Sequence, residues 1–436
     1  MGILESLITE LKGLFGCFTD PRSPSPNLKY SIVDIVLSAF ALFFTQSPSF
    51  LEYQRQMERQ YASSNAQTLF GVEQIPSDNH IRDVLDHTPA STLFPAFKSH
   101  FERLRASPAF EKFEVLGKRI LIALDGTQHH SSSDISCTSC NTRTSRSGET
   151  VYSHSFVAAS LCAPGHHEVL SLPPEFITPQ DGHNKQDCEN AASKRWLEQY
   201  GADYAAENAI ILGDDLYASQ PVCTAILEQN LDFILVCKED SHKVLYDFIS
   251  EVAMETVEIK AKTGPNRGQI IRLRFINQVP LNGNKVTLLV NWIGIEVSHR
   301  DGKKGYQGAF VTSIAVTANN VAELAQAGRA RWKIENETFN TLKNNGYHLE
   351  HNFGHGKQNL CNLFATMNLL AFNSHTLCNL LDQQYQTIQQ KLSRRETFFE
   401  ELRTLTKYVL FPSWTSLFDT MLDSLKPRGR PASKQP

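Results

Sequence analysis

The sequence lacks an apolar run long enough to cross a bilayer. The best candidate, Ile35 to Phe44, follows an aspartate and is short, whereas a spanning helix needs roughly 20 apolar residues. It reads as a buried core helix, so no membrane role is expected. The start, MGILESLITELKGLFGCF, has neither a basic leading region nor a small-residue cleavage site, and a secretory signal is not expected. Its first residues fit an N-myristoylation pattern, but Leu4, Leu7, Ile8, Leu11 and Phe15 recur at helical spacing, and an amphipathic helix accounts for them. Excess basic charge is also absent. Lys and Arg number 42 against 46 Asp and Glu, a net charge of −4, so any polyanion contact must come from local clusters. A second CxxC and an internal repeat are missing too. The nine cysteines are odd in number and scattered, which fits reduced thiols in a cytoplasmic compartment rather than disulfides.

What is present is an ordinary globular balance, 41% hydrophobic and 20% charged over 436 residues, enough for two to three domains. Residues 1–115 read as a helical N-terminal domain, with loops at PRSPSPN, TQSPS and IPSDN and Ser77 or Asp78 as a cap for HIRDVLD. From 116 to 253 the short runs RILIALDG, SFVAASLC, NAIILGD and DFILVCKE have the length and β-branched content of buried strands alternating with helices, a mixed α/β core. Between 254 and 316 the segments TVEIKAK, QIIRLRFI, KVTLLVNWIGIEV and GAFVTSIAV alternate in polarity between turn sequences, a β-rich insertion. Helical spacing returns over 317–425, and 426–436 form a basic tail rich in proline.

Asp125 ends the apolar run RILIALD, and Asp214 ends AIILGD in the same way. In an open α/β sheet, ligand-binding groups gather beyond the carboxyl ends of strands, so these two acids could share a metal. Hard oxygen donors suit magnesium or manganese. Each Asp taken alone could equally serve a turn. A third acid lies in RARWKIENETFNTLKNNG, a helical stretch that offers Glu335 and Glu337. At about 100° per residue the two point apart. Trp332, Phe339 and Leu342 put Glu335 on the apolar face, while Glu337 shares its face with Lys333, an exposed pair.

The order of ALDGT, LGDDLY, a β-rich insertion and RWKIENETFNTLK resembles the RNase H-like catalytic core of DDE insertion-sequence transposases, particularly those with a β domain inserted before the glutamate. That family's signature runs Tyr, two residues, Arg, three residues, Glu, six residues, Lys. Arg331 and Glu335 match it, whereas Gly328 stands at the Tyr position and Lys343 lies one residue beyond the Lys position. Asp214 with Tyr217 is similar to the family's Asp-x-x-aromatic pattern, and FLEYQRQ and IPSDNHIRDVLD are similar to the leading domain of some members.

The resemblance implies an enzyme that cuts and joins double-stranded DNA, at element ends and target, through two Mg2+ or Mn2+ ions held by Asp125, Asp214 and Glu335, working as a homodimer in the synaptic complex. The other reading of the same likeness is a decayed, non-catalytic DNA-binding relative. A haloacid-dehalogenase-like phosphatase, which also uses an Asp-Gly-Thr sequence, is excluded because its nucleophile position is Ala123.

Beyond the acids, Arg331, Lys343, Lys238, His355 and Lys357 are candidate DNA contacts, the last two in HNFGHGK. In the tail, Arg428 and Arg430 of PRGRP match the core of an AT-hook, whose arginines enter a narrow minor groove. Cys137 and Cys140 form a CxxC with His129, His130 and His154 near in sequence. A structural zinc there needs four ligands, and free thiols in a polar loop are the preferred expectation.

Overall fold

The computed structural model describes residues 2–58, 63–144, 146–179, 188–261, 267–300 and 303–426. They divide into two compact units. One gathers Met1–Ser107, His130–Cys140 and the described part of Asn340–Pro436; the other gathers Pro108–His129 and Asn141–Phe339.

The first unit is helical. Ile32–Thr45 is apolar on all sides, and every residue from Asp34 to Thr45 is buried, so it forms the middle of the packing. Ser31 caps it by accepting from Asp34 N. The helix Leu360–Leu381 packs on it, with Phe43 against Phe364 and Phe44 against His375. The opening helix Ile3–Phe15 buries the five residues that its spacing picks out, Leu4, Leu7, Ile8, Leu11 and Phe15. Ser77 caps Asp78–Leu85. Asp86 accepts backbone N–H groups from Lys357, Gln358, Asn359 and Leu360 at 2.8–3.1 Å, which satisfies the donors left open where Leu360–Leu381 starts. Gly356 takes a positive φ of +67 there, and a Cβ would meet Asp86 at 2.3 Å.

The second unit is built on one mixed sheet. Its described strands are β1 (Leu121–Ser132), β2 (Asn141–Thr144), β3 (Thr150–Cys162), β4 (Leu170–Ser171), β5 (Glu175–Ile177), β6 (Ile210–Gly213), β7 (Asp232–Val236), β8 (Glu255–Lys260), β9 (Ile270–Pro280), β10 (Leu289–Ser298) and β11 (Lys304–Thr312). Their order is β2-β3-β1-β6-β7-β11-β10-β9-β8, with β4 and β5 also pairing β3. β1, β6 and β7 are parallel. Parallel neighbours need long crossovers, and the helices Glu189–Ala205 and Gln220–Glu228 provide them. This is the mixed α/β, RNase H-like architecture expected. β11 pairs antiparallel with β7, Phe310 opposite Val236. The stretch read as a β-rich insertion therefore continues the central sheet as four antiparallel strands.

Candidate active site

All the groups of the carboxylate cluster belong to the sheet-containing unit. Asp214 directly follows β6, as its run of apolar residues suggests. Asp125 does not end its strand. β1 continues to Ser132, and Asp125 lies within it, two residues past the point where pairing with β6 stops at Ala123 and Leu212. The Asp-Gly pair is thus not a turn. Gly126 is there for close approach: its N–H donates to Glu189 Oε1 at 3.0 Å, and a Cβ at Gly126 would meet Glu189 Oε2 at 2.4 Å.

Glu189 is the acid that sequence reasoning missed. It opens the helix Glu189–Ala205 from a polar stretch with no apolar run leading into it, so the signal used for Asp125 and Asp214 is absent. Its Oε1 also accepts from the phenol of Tyr217 at 2.9 Å. Tyr217 is fully buried, three residues after Asp214, and Gly213 makes room for its ring, which a Cβ would meet at 2.7 Å. Burial foremost, with the Glu189 charge next, raises the Tyr217 phenol well above its ordinary value. Glu189 itself is raised by burial and by Asp214, against the Tyr217 and Gly126 hydrogen bonds that lower it.

The third element enters from the other side of the sequence. The helix Val321–Arg329 packs so tightly on the sheet that a Cβ at Gly328 would lie 2.9 Å from Ile234 and Phe310. A tyrosine cannot stand at that position. After a turn through Ala330–Lys333, residues Ile334–Phe339 form a π-helix. This overturns the face argument made at 100° per residue: Trp332 is 51% exposed, and the buried side chains are Ile334 and Thr338, the latter 3.1 Å from Ser160 on β3. The distinction between the two acids nevertheless persists. Glu335 accepts from Arg331 Nη1 at 2.7 Å, and the same nitrogen lies 3.7 Å from Asp125 Oδ2. Glu337 instead meets His167 at 2.8 Å and Lys333 at 3.6 Å.

Asp125 registers this crowding. Its carboxyl is pushed up to about 7, first by burial and then by Glu189, with Asp214 and Glu335 adding and Arg331 opposing. The neighbouring acid Asp215 has a different task, accepting from Lys238 N at 2.6 Å and from the hydroxyl of Ser241.

The candidate DNA-contact residues are not gathered into one place. Arg331 is buried and engaged with carboxylates. It and the exposed Lys238 line one cleft of about 560 Å3, with Trp332, Tyr306 and Arg274. His242, beyond β7, is buried with Nε2 2.8 Å from Ala218 O, a local tie rather than a surface group. In the helical unit Lys343 pairs with Glu350 at 2.9 Å, and Lys357 is exposed. His355 is buried, its Nε2 3.5 Å from Cys140 Sγ, so it is not offered to a surface ligand. Arg428 and Arg430 lie outside the described residues. Among the described residues no single helix is long and apolar enough to cross a membrane.

No curated protein matches the chain. Among solved structures it is similar to a piggyBac transposase synaptic complex with hairpin DNA, at 9% identity and a TM-score of 0.37, over 98% of this chain and 84% of that one. The model of the transposase DDE domain matches residues 121–373, which runs from the first residue of β1 through Asp125, Asp214 and Glu335 into the helix Leu360–Leu381. With more than half of its length in that match, the chain belongs to the transposase DDE domain family.

Proposed function

We propose that this transposase cuts and joins DNA at the ends of an insertion sequence by metal-dependent phosphoryl transfer, with Asp125, Asp214 and Glu335 as its catalytic, metal-holding carboxylates. The observation that carries the reading is Asp125, whose acid is driven up to about 7 by burial and by three neighbouring carboxylates, while only Arg331 opposes. Such crowding of like charge is costly unless a cation shares it. The donor set is all carboxylate oxygen, which fits Mg2+ or Mn2+.

Two such ions, when bound, supply Lewis-acid stabilisation of an in-line displacement at phosphorus, on both the attacking and the leaving oxygen. The chain's own part is to hold the ligands in place. Asp125 is fixed within β1 and Asp214 at the end of β6, while Arg331 orients Glu335 and balances part of the charge. Glu189, held by Tyr217 and Gly126, keeps Oε2 for the cluster. Hydrolysis uses water as nucleophile and frees a 3′-hydroxyl; strand transfer uses that hydroxyl on a phosphorus of target DNA, displacing a 3′-oxygen there. No protein nucleophile is consumed. Lys238 and the cleft it lines with Arg331, the exposed Lys357, Lys343 and the tail arginines Arg428 and Arg430 are the proposed phosphate contacts. The synaptic assembly is proposed as a homodimer, since two ends must be held together.

The test uses a duplex carrying the inverted repeats that flank the coding sequence, incubated with purified protein in Mg2+, Mn2+ or EDTA. Cleavage exposing 3′-hydroxyl ends in either metal, and none in EDTA, is expected. Binding to the repeats with no cleavage in either metal overturns the catalytic reading and leaves a DNA-binding relative.

A further inference from the structure

Within the helical unit, three soft donors converge that the carboxylate chemistry does not use. Cys137 and Cys140 lie on the segment that follows β1, and a turn closed by Cys140 N–H donating to Cys137 O at 3.2 Å brings them together. Their sulfurs are 3.8 Å apart. His355 comes from the loop before Leu360–Leu381 and sets Nε2 3.5 Å from Cys140 Sγ. The ligand atoms of all three lie within 4.8 Å of one another.

These spacings are those of a metal site. With Zn–S of about 2.3 Å and Zn–N of about 2.0–2.1 Å, a regular tetrahedron has edges of about 3.8 Å between two sulfurs and about 3.5 Å between sulfur and nitrogen. Both edges match. The other imidazole nitrogen is also arranged as a metal-bound histidine requires: His355 Nδ1 lies 2.8 Å from Gly356 O, which holds the proton on Nδ1 and turns the Nε2 lone pair toward the sulfurs. The left-handed backbone of Gly356 and the Asp86 cap that follows it fix the loop carrying His355. Cys140 and His355 are buried, so the donors are built into the packing and not scattered on a surface.

We propose that Cys137, Cys140 and His355 hold a structural zinc ion, with a further donor completing its tetrahedron. The ion ties the segment after the Asp125 strand to the segment after the Glu335 helix, both within the helical unit. It is chemically distinct from the oxygen-donor cations assigned to the carboxylates, and its presence does not depend on that assignment. The sequence preference for free thiols came from counting only the CxxC and histidines near it in the chain; His355 is more than 200 residues away.

Full-length protein produced with zinc in the medium and purified without a metal-chelating tag should carry about one zinc per chain by elemental analysis. Cys137→Ser, Cys140→Ser and His355→Ala should each lower that content about tenfold, whereas Lys357→Ala, in the same loop, should leave it unchanged. Because the ligand variants could fail to fold, cobalt(II) exchanged into the unaltered protein gives an independent reading: sulfur-to-cobalt charge-transfer bands with tetrahedral ligand-field bands are expected. Folded protein that carries no zinc and gives no thiolate–cobalt spectrum overturns the proposal, as does full zinc content in all three variants.

Discussion

The phenol of Tyr217 donates to Glu189 at 2.9 Å, and this one bond links the residue three positions after the second aspartate to an acid that no strand-end pattern marks. Glu189→Gln should therefore keep the fold but weaken divalent-cation binding and slow cleavage, and Tyr217→Phe should do the same to a smaller degree by freeing the carboxylate to rotate. Loss of one hydrogen bond to a charged group is worth about 1.5–3 kcal/mol, so a fall of one to two orders of magnitude in cleavage rate is expected for Tyr217→Phe. Unaltered Mg2+ dependence in both variants would remove Glu189 from the site.

Asp125→Asn and Asp214→Asn should abolish strand cleavage in Mg2+ and in Mn2+ while leaving affinity for end DNA nearly unchanged, because each removes a hard ligand without changing side-chain volume. Gel-shift and cleavage assays on the same preparations separate the two effects. Normal cleavage by either variant excludes that residue as a ligand.

Glu335→Gln should eliminate cleavage and strand transfer in either metal. Glu337→Gln should retain most activity, since Glu337 is paired with His167 and Lys333. An active Glu335→Gln beside an inactive Glu337→Gln would show that the π-helical register delivers the other acid.

Deleting residues 426–436 should weaken DNA binding and flatten its salt dependence, as each lost phosphate contact lowers the number of counterions released. Cleavage on saturating DNA should persist. Identical affinity and salt slope with and without the tail would make it a solubilising appendage.

His100, in Phe94–Arg105, is fully buried with neither ring nitrogen hydrogen-bonded, and burial, with Arg103 adding, depresses its pKa to about 3. The unfolded chain takes up this proton near pH 6.5 and the folded chain does not. The contribution to stability is thus complete above about pH 6.5 and lost as pH falls toward 3, at about 1.4 kcal/mol per pH unit. His100→Phe should be less sensitive to acid than the unaltered protein when urea melts at pH 7.5 and pH 5 are compared. Equal loss of stability in both would mean that His100 is not buried neutral.

The sequence by itself determined the elements whose physics is local. Five apolar residues at helical spacing define Ile3–Phe15, Ser77 caps the helix that follows it, and runs such as IIL and FIL are apolar enough to be interior parallel strands. The mixed α/β class followed from those runs, and so did the two aspartates placed at the ends of apolar runs. Arg331 and Glu335, four residues apart, were legible because their spacing is short. The tertiary structure decided whatever depends on contacts between distant segments. It showed that Asp125 lies within β1, because strand length is set by pairing with β3 as well as by the apolar run. It brought Glu189 to Gly126 across 63 residues, where no periodicity could point. It made Trp332 exposed, because a π-helix rotates side chains by a smaller angle than the 100° assumed. It joined β11 to β7, so that an alternating stretch became an extension of the central sheet. It also carried His355 to Cys140 across 215 residues, because a buried cluster is assembled by chain packing, and spacing along the chain holds no record of that.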